Sequence, residues 1–260
     1  MVVFFDIDGT IVDNATQIIP DSAIRAVERL RENGHIPVVN TGRPYAHIDP
    51  RVREMAFSGW VCGCGMEVLL EGTWLHRDHP SPELCRLVRD TARDCGMQAL
   101  YEPAEPGVFT DGQWSRHPLI QKETRQMAGK GFFVRPLEAG EPRFLKMVTF
   151  DCDGCRREEF LSRMEPHFTC IHRENTMLEL VKKGNSKAAG MERLLTHLGL
   201  GKEDTLAIGD STNDLPMFSV AAHTVCMAEG MKELKAQAEF VTDPVLCDGI
   251  EKALRHYGLL

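Results

Sequence analysis

Two aspartates, Asp6 and Asp8, follow the apolar run VVFF in the opening stretch VVFFDIDGT. An unpaired charge at the end of a buried strand is costly, on the order of several kcal/mol. In an extended segment residues i and i+2 face the same side, so both carboxylates can enter one small space. Their repulsion is relieved by a divalent cation between them or by a proton on one of them, and either outcome makes chemistry. The plain alternative is a pair of solvated loop aspartates. Gly9 permits a tight turn whose amide N–H groups can face an anion.

Three further stretches carry suitable groups. In VVNTGR a β-like run ends in Thr41, Gly42 and Arg43. Parallel sheets collect ligands at the carboxyl ends of their strands, so Thr41 and Gly42 should lie beside Asp6 and suit a phosphate oxygen. Alone, Thr41 reads equally well as a helix cap. Lys187, in GNSKAAG, sits in a first helical turn after an N-cap at Asn185 or Ser186, where it opposes the helix dipole unless an anion is there. A surface lysine is the plain alternative. In LAIGDSTNDLP, Asp210 ends an apolar run as Asp6 does, and the two can share a metal. Asn213 offers an amide, and Asn213 or Asp214 can cap the helix containing Pro216. Such an all-oxygen set favours magnesium over zinc or copper.

The elements that must position these groups are legible as a pattern. VVFFDI, HIPVVNT and DTLAIGD are short β-branched runs, each ending in polar residues and followed by a helical stripe, as in an α/β fold with a parallel sheet. Ala23, Val27 and Leu30 form one stripe, stopped near Gly34; Ala188, Met191, Leu194, Leu195 and Leu198 form another, closed by Gly199. Between them the texture changes. FLKMVTF, FTCIHR and MLELV read as antiparallel strands and SPELCRLVRDTARDCG as an amphipathic helix, so an α+β domain is expected at 82–183, inserted into a core of 1–81 and 184–260.

Composition narrows the partners. With 260 residues, 43% of them apolar, the chain can bury a sizeable core, and its formal charge of −8 argues against nucleic acid or an anionic membrane as the main partner. No run is long enough to span a membrane and the first residues already read as a buried strand, so a cytoplasmic protein is expected. Nine cysteines lack the spacing of a secreted framework. The pair in CDGC, Cys152 and Cys155, with Cys170 and His172 beyond it, is weak evidence for zinc beside the reading as turn or buried thiols.

Together DIDGT, NTGR, NSK and GDSTND, in this order, resemble the four motifs of the haloacid dehalogenase superfamily of phosphatases, and the insert and FVTD…DGI are similar to its Cof-like branch with a C2B-type cap. The resemblance implies a Rossmann-like doubly wound core and Mg2+-dependent hydrolysis of a small phosphorylated metabolite, a sugar phosphate first. It makes Asp6 the nucleophile and Asp8 the acid and base. It assigns metal binding to Asp6, the Asp8 backbone carbonyl and Asp210, supported by Asp214, and phosphoryl binding to Thr41, Gly42, Lys187 and Asn213. Two loops depart from the branch pattern: Cys64-Gly65 stands where Asn-Gly is usual, and Met227-Ala228-Glu229-Gly230 where Met-Gly-Asn-Ala is usual. Substrate selection falls to the cap, with Arg43, Arg173 and Glu174 as candidates. The competing readings are a phosphomutase, a non-catalytic phosphometabolite-binding regulator, and a phosphoaccepting receiver. In a receiver the lysine follows the threonine on a late strand, whereas Lys187 opens a helix.

Overall fold

All four residues of β1 (Val2–Phe5) are buried, as a strand covered on both faces must be. It pairs in parallel with β2 (Ile36–Asn40) on one side and β12 (Thr205–Gly209) on the other, Val2 lying opposite both Ile36 and Thr205. The structure, a computed structural model, describes residues 1–111, 117–137, 142–172 and 177–260; Arg173 and Glu174 lie outside the described residues. Its chain forms two units, one of Met1–Arg43, Ile48–Arg77 and Asn185–Leu260, the other of Pro44–His47 and Asp78–Gly184.

In the first unit the described residues form an eight-stranded sheet. β3 (Gly59–Cys62) extends it beyond β2, and β13 (His223–Cys226) and β14 (Phe240–Val241) beyond β12, all in parallel. Two strands at the far edge, β4 (Glu67–Leu70) and β5 (Thr73–Arg77), run antiparallel, an extension that the apolar pattern does not announce. Helices cover both faces. On one, Met191, Leu194 and Leu195 of α6 (Lys187–Leu198), with Met217 and Phe218 of α7 (Leu215–Phe218), pack on Val2, Phe4, Val38 and Val61. Elsewhere α1 (Asp21–Glu32) lies against α9 (Gly249–His256), and the short α2 (Pro50–Arg53) and α8 (Lys232–Lys235) complete the unit.

The second unit is built on β6 (Gln98–Glu102), β7 (Gly107–Thr110), β8 (Phe133–Pro136), β9 (Lys146–Phe150), β10 (Phe168–His172) and β11 (Met177–Lys182), in the order β10-β11-β9-β6-β7-β8. Its pairs are antiparallel apart from β7 with β8. Alternation along the strands serves two helix layers. Ala99, Tyr101 and Met147 pack with α3 (Pro82–Asp94) and α5 (Arg157–Met164), while Leu100, Val108 and Phe150 pack with Ile120 of α4 (Pro118–Gly129). Lys146 is buried between Glu179, at 2.6 Å, and Glu102, at 3.6 Å. His47 belongs here because its Nε2 lies 3.1 Å from the carbonyl oxygen of Glu105 and its ring stacks on Phe132. Cys152 and Cys155 end a turn closed by a 3.0 Å bond from the Cys155 N–H to the Cys152 carbonyl.

One close approach sets where α6 begins. A Cβ on Gly190 would lie 2.2 Å from Val61 Cγ1 and 3.0 Å from Gly65 Cα. Arg193, one turn later, donates to the Gly65 carbonyl and to Asn185 Oδ1, each at 3.0 Å. Alanine at this position would gain about 1 kcal/mol of helix propensity, whereas overpacking costs about 1–3 kcal/mol. Gly190→Ala is therefore expected to lower the melting temperature by a few degrees in a thermal unfolding scan, in spite of the better helix former.

Candidate active site

β1 carries Asp6 to the carboxyl edge of the sheet. The Asp6 N–H donates to the Ile208 carbonyl at 3.0 Å, so the ladder with β12 continues through it and fixes the residue, which is 3% exposed. β12 ends one residue before Asp210. The next turn, Thr212–Asp214, then folds Asp214 back beneath the strand end. There Asp214 Oδ2 accepts the N–H groups of Asp210 and Ser211, at 3.0 and 3.1 Å. Asp214 or Asn213 was expected to cap the helix containing Pro216; Asp214 does stand at the N-cap position of α7, but its carboxylate bonds back to Asp210 and Ser211 and no side chain caps the helix. Asn213 accepts from Ser211 Oγ at 2.8 Å.

Lys187 joins these pieces. Ser186 is the N-cap of α6, accepting the N–H of Ala189 at 3.0 Å, and the following lysine points inward rather than into solvent. Its Nζ lies 2.8 Å from Asp6 Oδ1 and 2.5 Å from Asp214 Oδ1. Asn40, the buried last residue of β2, donates to the Lys187 carbonyl at 3.2 Å and so ties that first turn to the sheet.

Thr41 follows Asn40 and is buried; its N–H bonds the Val61 carbonyl at 2.8 Å, and its Oγ1 accepts the N–H of Arg43 at 3.2 Å. Asp8 is half-buried and points elsewhere: Arg43 Nε and Nη2 donate to its Oδ2 and Oδ1, each at 2.7 Å. Sequence reading named Arg43 only as a substrate contact and missed this pair, as it missed Asn40 and Arg193. The strand-end rule that found Thr41 could have drawn attention to Asn40. The loop departures have local work. Cys64, in the left-handed region at φ +55°, donates its N–H to the Thr41 carbonyl at 3.1 Å, and Glu229 Oε1 accepts the N–H of Val245 at 2.9 Å.

The electrostatics are unbalanced. Carboxylate oxygens of Asp6, Asp210 and Asp214 lie within 4.8 Å of one another, and Asp8 is not in this group. Burial pushes Asp6 up to about 8, against the pull of Lys187, and Asp214 and Asp8 push the same way. Burial and the neighbouring Asp214 raise Asp210 to about 7. Burial alone would lower Lys187, but Asp214 and Asp6 outweigh it and hold the ammonium above its ordinary value. Asp210 Oδ1 is, in addition, buried with no hydrogen-bond partner. Space is tight here: Gly9 has φ +75°, and a Cβ on it would lie 2.2 Å from Asp210 Oδ2. An all-oxygen donor set with an orphaned buried carboxylate oxygen fits a hard divalent cation.

A profile of the haloacid dehalogenase-like hydrolases matches residues 3–254. The chain belongs to this family. This haloacid dehalogenase-like hydrolase is 28% identical to the YkrA protein of Bacillus subtilis (strain 168), across 99% of its own length and 98% of that protein's. It is 24% identical to the 5-amino-6-(5-phospho-D-ribitylamino)uracil phosphatase YcsE of the same organism, across 98% and 94%. Among solved structures, the subclass IIB sugar phosphatase BT4131 superposes with a TM-score of 0.82 at 25% identity, covering 100% of this chain and 99% of that one. The hydrolase is thus of the phosphatase type. No helix among the described residues is long and apolar enough to cross a membrane.

The raised carboxyl groups fix the sign of a pH effect. Asp6 and Asp210 hold protons in the folded chain at pH values where the unfolded chain has released them, so the metal-free fold binds more protons between about 4 and 8. That contribution to stability is complete below about 4 and is lost as the pH rises through the folded values. With chelator, the melting temperature should fall between pH 5 and pH 8; added magnesium should reverse most of the fall, by binding the ionised cluster.

Proposed function

We propose that this hydrolase releases phosphate from a small phosphorylated metabolite, with a sugar phosphate as the first candidate, through a phosphoryl group carried on Asp6, with Mg2+ as cofactor. The observation that carries the reading is the arrangement of Asp6 itself: a buried carboxylate 2.8 Å from a buried ammonium and grouped with Asp210 and Asp214. A buried carboxylate stays ionised, and can approach an anionic phosphate, only if its charge is compensated.

In the first half, an Asp6 carboxylate oxygen attacks phosphorus and the bond to the alcohol oxygen breaks, while Asp8 gives that oxygen a proton. In the second, Asp8 takes a proton from water, the water oxygen attacks phosphorus, and the bond to Asp6 breaks, returning the carboxylate. Mg2+, held by Asp6, the Asp8 backbone carbonyl and Asp210 with Asp214 in support, would supply charge stabilisation for the transferring phosphoryl group. Thr41, Gly42 and Asn213 hold the phosphoryl oxygens, and Lys187 offsets the negative charge gathered as two anions meet. We assign substrate selection to the inserted segment 82–183, read as a C2B-type cap. YcsE is named for a phosphoribitylamino substrate and BT4131 as a sugar phosphatase, which favours a polyhydroxylated alcohol.

Phosphate release from a panel of sugar and cofactor monoesters tests the reading. Turnover should require magnesium and vanish in Asp6→Asn without loss of fold; wild-type turnover in that variant would refute the mechanism. Asp8→Asn should slow hydrolysis of alkyl phosphates by about 10²–10⁴-fold and, with an activated aryl phosphate, leave phosphoryl-enzyme to accumulate. An unchanged rate on alkyl phosphates would remove Asp8 from proton transfer.

A further inference from the structure

Asp6 and Asp8 are two residues apart, yet their carboxylates have different surroundings. Asp6 joins Asp210 and Asp214, whereas Asp8 meets a guanidinium with two parallel bonds of 2.7 Å. Two-pronged pairing of this kind fixes the plane and direction of a carboxylate as well as its place. At 36% and 38% side-chain exposure the pair is too well solvated to add much to stability, so its contribution is to geometry.

Both ends of the pair rest on constrained backbone. Arg43 donates its N–H to Thr41 Oγ1 at 3.2 Å, and its carbonyl accepts from the Gly63 N–H at 2.8 Å. Asp8 forms a β-bridge with Val12, and the adjoining Gly9 N–H bonds the Val12 carbonyl at 2.8 Å. Arg43 also stands directly after Thr41 and Gly42, so the segment assigned to phosphoryl binding also orients Asp8.

We infer that Arg43 is a positioning residue for Asp8, holding that carboxylate apart from the metal-binding cluster and presenting it to the alcohol oxygen of the substrate. A carboxylate two residues from Asp6 could otherwise turn toward a cation held by Asp6 and Asp210. When Asp8 carries its proton, one oxygen would keep its guanidinium bond and the other would offer the O–H to the leaving oxygen. The guanidinium keeps its own protons throughout and takes part in no transfer. The inference rests on the phosphatase reading and adds to it a residue acting only on the proton-transfer step.

Leaving-group dependence separates this role from a structural or phosphate-binding one. Poor leaving groups need the proton and good ones do not, so Arg43→Ala should lose about 10²-fold or more in kcat on an alkyl or sugar phosphate. On 4-nitrophenyl phosphate it should lose much less. Added guanidinium ion should restore part of the alkyl-phosphate rate, and in the Asp8→Asn background Arg43→Ala should cost little more. Equal losses on both substrate classes, or full additivity with Asp8→Asn in protein whose melting temperature is unchanged, would overturn the role of Arg43 and leave the phosphatase reading standing. A folded, magnesium-loaded wild type that hydrolyses neither class would overturn both.

Discussion

The buried ammonium of Lys187 is the constraint around which the first unit is arranged. It is bonded to carboxylates from the end of β1 and from the turn after β12, and it opens a helix packed on β2 to β5 of the same sheet. Removing one partner from such a buried group typically costs about 3–5 kcal/mol, so the three segments have to meet correctly or lose that much. Their agreement is still incomplete, since three carboxylates surround one ammonium. The deficit is an expense to the fold, and an all-oxygen set of this kind suits a hard cation.

Rigid elements hold the set in place. The first turn of α6 is fixed from below by Asn40, from the side by the Gly65–Gly190 approach, and from within by Met191 and Leu194 in the apolar cluster. Lys187 therefore reaches the acidic residues from a helix that cannot slide, which matters for a group whose usefulness depends on tenths of an ångström.

Much of this was legible in the sequence, because it follows from local rules. Strand-end logic located Asp6, Thr41 and Asp210 from short β-branched runs, and the mismatch between a lysine and a helix N-terminus singled out Lys187. What escaped were relations between distant segments. Capping rules could assign Asp214 to the neighbouring helix, but they could not weigh that against a lysine arriving from α6. The Arg43–Asp8 pair joins two loops that share no periodicity, and β4 and β5, as long as β1 and β2, have between them no helical stripe of the kind that marked the parallel strands. Nothing in Pro44–His47 marks it as part of the second unit, where a histidine-to-carbonyl contact and one ring stack place it.

The order of strands has a consequence for how the molecule comes into being. β1 pairs with β12, synthesised long after it, whereas β9, β10 and β11 of the second unit pair with strands nearer in sequence. Loop closure penalises the distant pairing and rewards the near one. During synthesis the inserted sheet can therefore assemble while β1 still waits, with Asp6 hydrated and unopposed. Asp6 is desolvated only when β12 and α6 arrive, so the step that joins the distant halves of the first unit is also the step that buries its carboxylate.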